Sequence, residues 1–71
     1  MKFHRPLLLM RVDTLPAVWY AGTDAAGAPQ ITRSRDYALR IQEMDSARAA
    51  VRWLRETVGG VWSIVSDRVL M

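Results

Sequence analysis

A chain of 71 residues has room for one domain, and at this length only about 60% of the unfolded surface is buried on folding, so the core must be small. Half-apolar composition, with three Trp, two Tyr and one Phe, argues for a folded chain over a disordered one, and the lack of Cys excludes both a disulfide framework and a thiolate zinc site. Ten Lys or Arg against seven Asp or Glu leave +3, within the range of an ordinary soluble domain but on the side that favours an acidic or polyanionic partner.

The opening MKFHRPLLLMRVD places basic residues before an apolar run, as an export signal does. Arg11 interrupts that run well short of the roughly 7 to 15 apolar residues such a signal needs, and no small-residue cleavage pattern follows. Nothing reaches the roughly 20 apolar residues that span a bilayer. A cytoplasmic protein with no membrane partner is the expectation.

Residues 5–12, RPLLLMRV, form a first strand. If Leu8, Met10 and Val12 face the core, Leu7, Leu9 and Arg11 share a second, partly apolar face. DTLP supplies turn chemistry, with Asp13 able to bond nearby backbone and Pro16 unable to donate to a central ladder. AVWYAGT is a second strand, rich in aromatic and β-branched types, paired with the first as an antiparallel hairpin. Residues 22–30 read as an exposed loop, its glycines outside any phosphate-loop spacing. A turn is expected around residues 34–36, then a short third strand near residues 38–42.

The helix is marked by Asp45 or Ser46 as its N-cap and by an apolar stripe at helical spacing, Ala47, Ala50, Val51, Leu54 and Val58. Gly59 can adopt the left-handed conformation that closes it, and Gly60 gives slack for reversal. VWSIV then alternates as a final strand, with Trp62 and Ile64 on one face; SDRVLM either continues it or frays, its apolar end suited to packing. The order β-β-(β)-α-β gives an α+β fold, a small antiparallel sheet of three to four strands with one helix on one face. The far face is then polar, self-associated or occupied by a partner, and a homodimer is one way to cover it.

Catalytic chemistry finds little support. His4 is the single histidine and lies near a terminus, and Glu43 and Asp45 flank the helix start, where acidic groups favour the macrodipole. No enzyme activity, cofactor or metal is expected. Binding features are richer. Arg48, Arg52 and Arg55 fall together on the helix, opposite the apolar stripe, where guanidinium groups suit phosphates or carboxylates; the alternative is a solvated face with an exposed Arg52–Glu56 pair. Arg33, Arg35 and Arg40 form a second basic group, and Trp53 sits at the stripe's edge, between core and surface. Trp19, Tyr20 and Trp62 either stack bases or fill the core.

The run from ITRSRDYALRI through MDSARAAVRWL to VWSIV resembles a pattern of small phage and prophage proteins. Its features are a polar turn, an Ala-x-x-hydrophobic step (Ala38 to Ile41), Ser46 before an Ala-rich helix with Ala50 buried, and a closing strand, residues 61–65. Several anti-CRISPR proteins are similar in size and build. The resemblance covers the C-terminal half and implies a protein that blocks a host complex, plausibly a CRISPR effector, in the host cytoplasm. On that reading Arg48, Arg52, Arg55, Arg33, Arg35, Arg40 and Trp53 are the partner-binding residues. The alternatives are a small nucleic-acid-binding module and a structural homodimer.

Overall fold

A computed structural model describes residues 5–67, and the expectations for Lys2, His4 and the last four residues lie outside them. The chain is an α+β fold: a four-stranded antiparallel sheet with one helix packed against it. Strand β1 is Leu7–Arg11, β2 Val18–Thr23, β3 Pro29–Thr32 and β4 Trp62–Ser66, in the spatial order β3-β2-β1-β4. The helix α1, Met44–Thr57, precedes β4.

β1 and β2 pair antiparallel as expected, but only at Met10↔Trp19 and Arg11↔Val18. Beyond these rungs the segment after the turn reaches both strands. Leu39 N–H donates to Tyr20 C=O (2.9 Å), while Leu7 and Ile41 exchange backbone hydrogen bonds of 2.7 and 2.9 Å. The segment expected as the third strand, residues 38–42, thus supplies one bridge, and the third strand proper is Pro29–Thr32. The physical reason lies in Asp24. Its Oδ1 accepts the amides of Ala26 and Ala28, both at 2.9 Å, and Gly27 takes φ +84, so the loop closes within residues 24–28 and releases Pro29 and Gln30 to a strand. Proline is tolerated there because β3 is an edge strand and Pro29 its first residue. A single 3₁₀ turn, Arg35–Tyr37, realises the expected turn.

The helix begins at Met44, earlier than either expected cap. Glu43 occupies the cap position in an extended conformation, its C=O accepting Ala47 N–H at 3.0 Å, with no side-chain cap; Asp45 therefore lies in the first turn and Ser46 inside the helix. Gly59 closes the other end at φ +85, its N–H bonding Leu54 C=O at 3.0 Å. Of the apolar stripe, Ala47, Val51 and Leu54 are buried and Ala50 packs beside them, while Val58 is exposed because it already belongs to the cap.

The core joins Leu9, Tyr20, Ala47, Val51, Leu54 and Trp62, with Leu7, Ile41, Trp53 and Ile64 packed around it. The helix-facing side of β1 is therefore the Leu7–Leu9 side and not the Leu8–Val12 side. Arg11 can share this face because it stands at the strand's end, where its guanidinium reaches Asp13. Leu8 is fully buried outside this cluster, and Val12 is exposed.

Candidate functional site

Arg48, Arg52 and Arg55 converge on a groove of about 450 Å³ between α1 and β4, with Trp62, Ser63 and Ile64 forming its opposite wall. Their positions on the helix explain this. At 3.6 residues per turn the three lie about a third of a turn from the apolar stripe, beside it and not opposite it as expected, so packing the stripe on the sheet carries them to the β4 flank. Trp62 is fixed in that wall by burial and by its indole N–H, which donates to Gly59 C=O at 3.0 Å.

Among the described residues no carboxylate lines the groove and none of these arginines forms a salt bridge; the Arg52–Glu56 pair is not made. Three like charges on one flank repel one another unless an anion sits between them. The other arginines are placed differently. Arg35 and Arg40 both hold the carboxylate of Asp67, at 3.2 and 3.0 Å, and Arg40 also donates to the carbonyls of Asp36 and Ala38. These two fasten the end of β4 to the 3₁₀ turn, away from the groove. Arg33 is exposed next to β3, the opposite edge of the sheet. Trp53 is half-buried on the other flank of α1, its ring edge-on to Tyr20 with centroids 6.1 Å apart, which resolves its position as the rim of the core.

No protein-family model, characterised protein or solved structure matches this chain. The groove's chemistry therefore stands on its own residues.

One corner positions β4. Asp13 Oδ1 accepts both Arg11 Nε at 2.8 Å and the Val61 amide at 3.0 Å, tying the end of β1 to the start of β4. The hydrogen bond from Arg11, followed by that from Val61, lowers the Asp13 carboxyl from 3.8 to about 2, so this tie is ionised across the neutral range. Gly60 crosses under the Arg11 guanidinium at φ +93. Burial pushes the Tyr20 phenol up, in keeping with its place in the core.

The sequence pattern shows that the arginines share a helix flank; it does not show what faces them. That depends on the register of β4, whose signal is the odd-even alternation of WSIV once the helix-facing residues are known to be Trp62 and Ile64.

Proposed function

We propose that this chain acts by binding, and that it captures an acidic protein surface through Arg48, Arg52 and Arg55. The observation that supports this reading is the gathering of the three guanidinium groups on a groove that no described residue lines with a carboxylate. Guanidinium is weakly hydrated for a cation and can bond a carboxylate with two parallel N–H donors, so such a groove selects acidic side chains by geometry as well as charge. The narrower reading, an inhibitor that occupies an acidic surface of a host CRISPR effector, rests on the resemblance of the C-terminal half alone.

The test titrates poly-L-glutamate into the wild-type chain and into an Arg48→Glu/Arg52→Glu/Arg55→Glu variant at low salt, following tryptophan fluorescence. Binding by the wild type that falls at least tenfold in the variant is the expected result. Equal binding by both, or binding by neither, overturns the reading. For the narrower target, recovery of an effector subunit by the tagged wild type from a CRISPR-carrying lysate, lost with the variant, is expected; recovery by neither removes that target.

A further inference from the structure

The sheet has two edges, and the chain treats them differently. β3 is only four residues long, begins with Pro29, and pairs with β2 through an irregular register between Tyr20 and Thr23, all devices that discourage further strand pairing. β4 carries none of them. Trp62–Ser66 contains no proline or charge and runs in unbroken register with β1 from Leu7↔Ser66 to Arg11↔Trp62.

The ladder also fixes which backbone groups of β4 point outward. Val12 N–H donates to Val61 C=O at 2.9 Å, and Asp67 N–H to Pro6 C=O at 2.8 Å, so Val61 and Asp67 turn their polar groups toward β1. Alternation along an antiparallel pair then turns Ser63 and Val65 the same way and leaves Trp62, Ile64 and Ser66 with N–H and C=O directed away from the sheet. Among the described residues no strand lies beyond them. This open row of donors and acceptors borders the arginine groove, which Trp62 and Ile64 help to line.

We infer that the partner, on the binding reading above, is an extended acidic segment that adds to β4 as a fifth strand and presents carboxylates to the arginines. The spacings agree. Successive outward groups on β4 repeat every two residues, about 6.7 Å, which is also the repeat of same-face side chains on an added strand. Arg48 and Arg52 are separated by about 6 Å along the helix, and Arg55 lies about 4.5 Å further on. An acidic residue at every second position therefore meets successive guanidinium groups while its backbone completes the ladder, main chain giving affinity and side chains specificity. A second copy of this chain is disfavoured as occupant. Antiparallel pairing of β4 with β4 about a two-fold axis sets both helices on the same side of the joined sheet, and the two arginine groups then face each other across the seam.

The test uses an eight-residue peptide alternating Glu and Thr, and a twin of the same sequence with alternate backbone amides N-methylated, which keeps the charge but removes edge pairing. Affinity is measured by tryptophan fluorescence, and amide hydrogen exchange by NMR. The expected result is binding of the first peptide, protection of the Trp62, Ile64 and Ser66 amides, and at least tenfold weaker binding of the methylated twin. Equal affinity for both peptides without protection of those amides overturns strand addition while leaving the arginine reading intact. If poly-L-glutamate also fails to bind, both readings fall. Protection of the same amides in the free chain, with a dimer in light scattering, assigns the edge to a second copy and overturns the inference. So does tighter binding of a single-stranded oligonucleotide that leaves the edge amides exchanging freely.

Discussion

Replacing Gly60 with alanine adds one methyl group where the backbone and a neighbouring side chain both resist it. At φ +93 a Cβ is strained by about 1–2 kcal/mol whatever the space around it. The new atom would also fall on the Arg11 guanidinium, the far end of a flexible side chain, whose withdrawal gives up only its part-exposed pair with Asp13, held at 2.8 Å through Nε. Gly59 provides the internal control: its φ is +85, yet no atom of the described residues lies within 4 Å of where its Cβ would stand. Gly59→Ala should therefore cost only the backbone strain, and Gly60→Ala that strain plus the small loss of the Arg11–Asp13 pair. Against a total stability of about 4–11 kcal/mol for 71 residues, the backbone term alone is a substantial fraction, and each kcal/mol moves Tm by about 4–8 °C in a domain this small. Urea and thermal denaturation of both variants, alone and with Arg11→Ala, separate the terms. The excess at Gly60 should vanish once Arg11 is removed. Equal costs at the two glycines, or an excess that survives Arg11→Ala, would refute the account of this corner.

Three further outcomes are expected. Because folded Asp13 titrates at about 2 against an ordinary 3.8, its stabilising contribution is complete above about pH 4 and is lost as pH falls through about 2. The stability gap between wild type and Asp13→Asn should shrink over that window in urea titrations, and a gap constant from pH 6 to 2 contradicts the tie to Arg11 and Val61. Leu54→Ala empties a fully buried position under the helix and should cost about 2–5 kcal/mol by urea denaturation, a large share of the total stability. Thr14 Oγ1 is buried with no hydrogen-bond partner among the described residues, so Thr14→Val should be neutral or stabilising by up to about 1 kcal/mol; a loss of stability would point to an acceptor or donor that meets this hydroxyl.

What could be read from the residues follows where one physical signal dominates. The stripe Ala47, Val51, Leu54 marks the helix because only a 3.6-residue period brings those side chains together, and Gly59 marks its end because it takes φ +85. β3 was hidden because it is only four residues long and opens with a proline, so that only Ile31 and Thr32, paired with Tyr20 and Trp19, favour a strand. The inward face of β1 was ambiguous because Leu7, Leu8, Leu9 and Met10 are all apolar, and Leu7 and Leu9 prove to face the helix while Arg11 on that same face turns to Asp13. The arginines were visible as a group, but a free edge beside them is a property of the sheet's order, in which β4 stands next to β1 and last in the row. Sequence neighbours carry no trace of that.

The same strand order has a consequence during synthesis. β1 is central in the finished sheet, yet one of its partners is β4, so the pairing Leu7↔Ser66 joins the two ends of the described chain. Until residue 66 has emerged from the ribosome, the nascent chain carries Leu9 without the Trp62 and Ile64 that pack beside it, and its open edge is β1 itself. Such long-range closure is slow to form and leaves apolar strand exposed meanwhile. A product cut short before Trp62 would therefore lose the opposite wall of the groove and display β1 as a sticky edge to chaperones and proteases.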